Sequence, residues 1–196
     1  KKFVYTFFAL ALVSPLIGFV YKINLSNLFG PMEFNLYLLK FGIYTKNGGV
    51  VSDLVTHWNY ILALRENLQN IILYTMGEDT KLINFPLHNI IFSQFYILTE
   101  NIKNYLNFYF VFSMLMPFFF YLCLREKFKE INKLILLIFS SIIYLLPVFQ
   151  YTAIWGNSHI TSLFFFLIGI LFHIKFRNSN YKDRKYFLFC IISLTL

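Results

Sequence analysis

Asp53, His57, His88 and His159 are the side chains of this sequence best suited to take or give a proton, and all four lie outside its five longest apolar runs. A carboxylate such as Asp53 can accept the proton of an attacking hydroxyl, and a cationic histidine can stabilise charge developing on a phosphate. Trp58, Trp155 and Asn157 accompany them with ring faces and an amide. Each residue also has a plainer role. Asp53 or Ser52 can accept from free N–H groups of a helix start, and Asn157 with Ser158 can do so for a helix beginning near Ile160. His57 can be an exposed neighbour and His88 can satisfy a bent helix start, while Trp155 can sit as an aromatic anchor at headgroup level. There is no Gly-rich phosphate loop, no His/Cys set at metal-ligand spacing and no nucleophile elbow. No metal or other cofactor is therefore expected.

The elements that must position these residues are apolar. The chain has 196 residues, of which 58% are hydrophobic, 21% aromatic and 13% charged, with mean hydropathy +0.62. A soluble domain carries about 45–50% apolar and about 25% charged residues. Residues 3–21, 105–124, 134–151 and 160–174 have the length and composition of spanning helices, and 186–196 starts another. Pro15, Pro117 and Pro147 fall inside these runs, which spanning helices tolerate when neighbouring groups re-satisfy the freed carbonyls. The expected fold is an all-α integral membrane protein, a multi-spanning helical bundle with a large outer loop that carries interfacial helices. Cys123 and Cys190 both lie in apolar runs and read as reduced packing residues.

Charge sets the expected orientation. Of the 17 basic residues, two precede the first run (Lys1, Lys2), four follow the second (Arg125, Lys127, Lys129, Lys133) and five follow the fourth (Lys175, Arg177, Lys182, Arg184, Lys185). Residues 22–104 balance six basic with six acidic residues. Short cytoplasmic loops carry the Lys/Arg excess, and all three clusters share one side only if residues 86–99 do not cross. That segment is read as an interfacial or re-entrant helix. The N-terminus is then cytoplasmic, with 22–104 and 152–159 outside, in a plasma, inner or endoplasmic reticulum membrane. The clustering also argues against nucleic-acid binding, since the basic residues do not share one face of a soluble fold. The chain begins without Met and stops inside an apolar run, so it reads as the N-terminal part of one longer domain.

Within the outer loop, Lys46-Asn47-Gly48-Gly49 is a turn signal, and Ser52 or Asp53 is expected to open a surface helix. Its apolar stripe would be Leu54, Trp58, Ile61 and Leu62, with Asp53 and His57 together on another face at i, i+4. No Asp, Glu, Lys or Arg lies inside the spanning runs, which weakens an ion-coupled transporter reading.

Four features, in this order along the chain, resemble a known group. The first spanning run is followed by a large outer loop; Ser52-Asp53-Leu54-Val55-Thr56-His57-Trp58 lies in that loop; Phe85-Pro86-Leu87-His88-Asn89-Ile90-Ile91 precedes the second crossing; and Gln150-Tyr151-Thr152-Ala153-Ile154-Trp155-Gly156-Asn157-Ser158-His159 forms a short second outer loop. The pattern resembles the GT-C superfamily of membrane glycosyltransferases, which includes the protein O-mannosyltransferases. The resemblance implies transfer of a sugar from a polyprenyl-phosphate-linked donor to a glycan or lipid acceptor hydroxyl at the outer membrane face. It implies Asp53 as general base, and His57, Trp58, His88, Trp155, Asn157 and His159 as substrate-binding residues. His159 stands where that group often has a second acid, and no Asp-x-Asp pair is present, so a divalent metal has no ligand set to point to. The alternatives are a polytopic lipid or polysaccharide transporter and a non-catalytic membrane assembly protein.

The orientation has a direct check. In a cysteine-free background, single cysteines at positions 47 and 157 should react with an impermeant thiol reagent from outside, and one at position 132 should not. External labelling at 132 would make 86–99 a crossing helix.

Overall fold

The structure, a computed structural model, describes residues 2–29, 50–67, 87–97, 100, 102–156 and 158–195. Among the described residues the secondary structure is entirely helical, in the order α1 (Lys2–Phe29), α2 (Val50–Glu66), α3 (Leu87–Ser93), α4 (Ile102–Met114), α5 (Met116–Lys127), α6 (Lys133–Leu145), α7 (Pro147–Trp155), α8 (His159–Asn178) and α9 (Arg184–Thr195). Three stretches are long and apolar enough to cross a membrane: Lys2–Val20, Ile102–Lys127 and His159–Asn178. Little of their apolar surface is used inside the protein. Phe3, Leu10 and Ile17 of α1 are 75%, 66% and 65% exposed, a pattern that suits lipid and not water.

The chain divides into two compact units. One comprises Lys1–Ile23, Phe110–Ile154 and His159–Leu196. Here α8 packs on α5 and on α9, and α5 packs on α6. Cys123, Leu167 and Ile174 form a buried cluster, with Phe119 and Leu163 against it, and the Cys123 thiol donates to the Leu167 carbonyl at 3.3 Å. Phe172 stacks on Phe189 of α9 (centroids 5.0 Å apart), and Gly169 lets the two helices approach, since a Cβ there would lie 2.6 Å from Leu194.

Proline shapes this unit. The 102–127 stretch is interrupted at Leu115, because Pro117 cannot donate into the helical ladder. At that break the Tyr144 hydroxyl donates to the Met114 carbonyl at 2.7 Å. The expected spanning run 134–151 is also not one helix. Leu146 is extended (φ −71, ψ 121) in front of Pro147, as the residue before a proline prefers, so α6 ends after 13 residues and α7 begins anew. The Gln150 amide then donates to the Tyr144 carbonyl at 2.8 Å and to Ser14 Oγ at 2.7 Å. Gln150 is thus a partner for a carbonyl at the break.

The other unit comprises Asn24–Tyr109 and Trp155–Ser158. Three expectations change here. Helix α2 starts at Val50, ahead of Ser52 and Asp53, so neither residue is its N-cap; both lie in the first turn, where an acid favours the positive end of the helix dipole. Its buried face is His57, Ile61 and Leu64, so His57 lies on the apolar face instead of opposite it. The helix expected over 86–99 is only the seven residues of α3, followed by a turn. At 1.5 Å per residue it is about 10 Å long, against about 30 Å of bilayer hydrocarbon, so α3 by itself does not cross.

Candidate functional site

The second unit concentrates polar side chains that apolar packing alone would not bury. His57, His88 and Asn89 are 3%, 3% and 4% exposed. An unpaired polar group in such surroundings is costly, and each of these has a partner. His57 is carried on the inner face of α2, and His88 and Asn89 on the buried face of α3. The His57 ring donates through Nδ1–H to Asn89 Oδ1 at 3.0 Å, which ties α2 to α3.

A second chain of bonds starts at His88. Its Nε2 lies 2.9 Å from the Tyr105 hydroxyl, and that hydroxyl donates to the Gly156 carbonyl at 2.8 Å. The tyrosine has one proton, and it is directed at Gly156. His88 therefore carries its own proton on Nε2 and donates to the tyrosine oxygen. The relay runs from α3 through the first turn of α4 to the turn after α7.

Gly156 is required at the end of this relay. Its φ is +65, a left-handed conformation that suits glycine at a helix C-terminus, and a Cβ would sit 3.0 Å from Leu106 Cδ2 and 3.0 Å from Tyr105 Cε1. The Trp-Gly pair legible in the sequence is thus a helix stop that seats a carbonyl on a buried tyrosine.

Aromatic rings wall the network. His88 meets the His57 ring edge-on at a centroid distance of 5.2 Å and Tyr109 at 5.5 Å, and Phe92 packs against Tyr105 at 5.3 Å. Trp58, half-buried, lies 5.7 Å from Tyr105. At the end of α2 the Arg65 guanidinium covers the Tyr96 ring at 3.6 Å. Burial holds the His88 imidazole well below the usual histidine pKa, and the neighbouring His57 adds to the shift because two imidazolium charges would repel. His88 is therefore neutral at physiological pH.

Of the residues predicted from sequence, His57, Trp58 and His88 come together in this cluster, and Trp155 and Asn157 flank its Gly156. The backbone of Trp155 ends α7, while its side chain, like that of Asp53, and the whole of Asn157 lie outside the described residues. His159 is exposed at the start of α8 and belongs to the other unit. Among the described residues no group of three or more His, Cys, Asp or Glu could hold a metal ion. Sequence reading missed Asn89 and Tyr105. Asn89 was legible as an amide beside His88 in an apolar run, whereas Tyr105 looked like one more aromatic of a spanning helix. Comparison with protein families, characterised proteins and solved structures returns no match.

Two outcomes follow from the relay. Tyr105→Phe leaves a buried N–H and a buried carbonyl without their partner. It should cost about 2–6 kcal/mol of stability, from about 1–3 kcal/mol per unsatisfied group. Thermal unfolding in detergent would measure this, and His88→Phe combined with Tyr105→Phe should cost less than the sum of the two single changes.

The second outcome concerns pH. The folded state holds His88 neutral below its ordinary pKa, so the unfolded state binds more protons as pH falls, and stability rises with pH. The contribution is complete above about pH 6.5 and is lost progressively below it, by at most about 1.4 kcal/mol per pH unit for one proton. Unfolding midpoints at descending pH should fall for the parent protein and less steeply for His88→Phe.

Proposed function

We propose that this chain is part of a multi-pass membrane glycosyltransferase of GT-C type. It moves a sugar from a polyprenyl-phosphate-linked donor to an acceptor hydroxyl at the outer face. The observation that carries the reading is the grouping of its sequence signatures. The Asp53 helix, the Pro-Leu-His segment and the Trp155–Ser158 turn are far apart in the chain, yet they belong to one compact unit. Two buried hydrogen-bond paths, His57 to Asn89 and His88 through Tyr105 to Gly156, tie them together. A frame of this kind is what a site assembled from separate segments needs, because catalytic groups act only when their spacing is held.

In this mechanism Asp53 takes the proton of the acceptor hydroxyl as it attacks the anomeric carbon, and the lipid phosphate leaves. Buried and bonded within the protein, His57 and His88 are positioning residues that hold α2 and the Gly156 turn. Asn157 and Trp155, in the same unit as Asp53, are assigned to donor binding. The cytoplasmic N-terminus and the outer position of residues 22–104 belong to the same proposal and rest on the basic clusters.

The test uses the full protein reconstituted in vesicles. Transfer from a polyprenyl-phosphate-linked sugar should fall about 10²-fold or more in Asp53→Asn, which keeps the shape of the side chain and removes its basicity. Near-parental turnover by a correctly inserted Asp53→Asn protein would remove Asp53 from the reaction. Efficient transfer from a nucleotide sugar, with no lipid intermediate, would overturn the donor class.

A further inference from the structure

A cavity of about 400 Å³ opens in the first unit between the end of α5, the start of α6 and the end of α8. Four cations line it: Arg125, Lys129, Lys133 and Lys175. Glu126 is the single acid among the lining residues, and its Oε1 is already held by Lys129 at 3.3 Å and by Asn178 Nδ2 at 2.8 Å. Lys175 is half-buried, its ammonium 6.0 Å from the Phe172 ring and 5.8 Å from the Tyr186 ring. The positive charge therefore exceeds what the acid can balance, with Lys175 half-buried in the recess and Arg125, Lys129 and Lys133 exposed around it.

The same cavity is apolar on its remaining sides. Leu136 is buried at its base, and Phe128 and Ile131, each 42% exposed, stand on its rim beside the lysines. A pocket for a free inorganic anion has no use for such a wall. Its place in the helices also counts. Arg125 lies in the last turn of a stretch long enough to cross a membrane, and Lys175 in the last turn of another, so the cavity sits where hydrocarbon gives way to headgroups.

We propose that this cavity binds the phosphate of an anionic glycerophospholipid, with the start of an acyl chain against Phe128 and Ile131. The site is independent of the sugar-transfer reading and rests only on the chain being membrane-embedded. Basic pockets between spanning helices hold acidic headgroups because each Lys or Arg near the membrane surface adds to the attraction. Arg125 can offer a planar pair of N–H donors to two phosphate oxygens, and the three lysines act as point charges.

The test is native mass spectrometry of the full chain in uncharged detergent, with palmitoyl-oleoyl phosphatidylglycerol and palmitoyl-oleoyl phosphatidylcholine as probes. The parent protein should retain phosphatidylglycerol in preference to phosphatidylcholine, and excess inorganic phosphate should not displace it. Arg125→Gln and Lys133→Gln should each weaken retention about five-fold, and the double change about 25-fold. Lys182→Gln combined with Arg184→Gln removes the same charge outside the cavity and should leave retention within about two-fold. Equal retention of phosphatidylcholine, or an equal loss in the Lys182/Arg184 control, would overturn the proposal. Displacement by inorganic phosphate would reassign the cavity to a soluble anion. The lipid comparison and the phosphate competition use the parent protein, so they decide the matter even if the Arg125/Lys133 variant fails to fold.

Discussion

Polar groups inside an apolar helical protein must be satisfied by the protein itself, and the arrangement of this chain follows from that constraint. Among the described residues, no buried side-chain nitrogen or oxygen lacks a hydrogen-bond partner. At two proline breaks a side chain donates to a carbonyl beside the break. Tyr144 does so for the Met114 carbonyl, and Gln150 for the Tyr144 carbonyl. Ser140, Ser141 and Thr152 turn their hydroxyls back onto carbonyls of their own helices. The breaks at Leu115 and Leu146 are thus closed by specific contacts and not left to solvent.

The same rule applies to the histidine cluster. Two imidazoles, an amide and a phenol are buried together, and each helps to satisfy another. Such networks are costly when incomplete and specifying when complete, because only one packing meets every bond. Here the specified packing fixes α2 on α3 and the Gly156 turn on Tyr105. For a site assembled from separate segments, this division of labour is economical in residues. The buried histidines hold the frame of this unit.

The two units differ in how they treat charge. The histidine unit buries neutral polar groups behind aromatic walls, whereas the first unit gathers cations at one end of its helices around a partly apolar recess. Neutral networks serve positioning, since they are not screened by salt and do not attract counter-ions. Clustered cations serve attraction, and their strength depends on ionic strength and on what anion is offered.

Composition alone marked the chain as apolar, because 58% hydrophobic and 13% charged residues depart from the balance of a soluble domain. The run lengths located the helices at 2–20, 102–127 and 159–178 within a few residues. The proline breaks were not read from the sequence, which took Pro117 and Pro147 as tolerated within spanning runs; that the helices break at Leu115 and Leu146, and that Tyr144 and Gln150 donate there, appears only once the helices are packed. The candidate site divides in the same way. His57, His88 and the Trp-Gly turn were legible as polar or conformationally special residues in apolar surroundings. That His57 faces inward was decided by tertiary structure, since only the approach of Asn89 makes the apolar face of α2 tolerable for an imidazole. Tyr105 owes its role to the same cause. A phenol in an apolar run reads as packing until folding brings His88 to one side of its oxygen and the Gly156 carbonyl to the other.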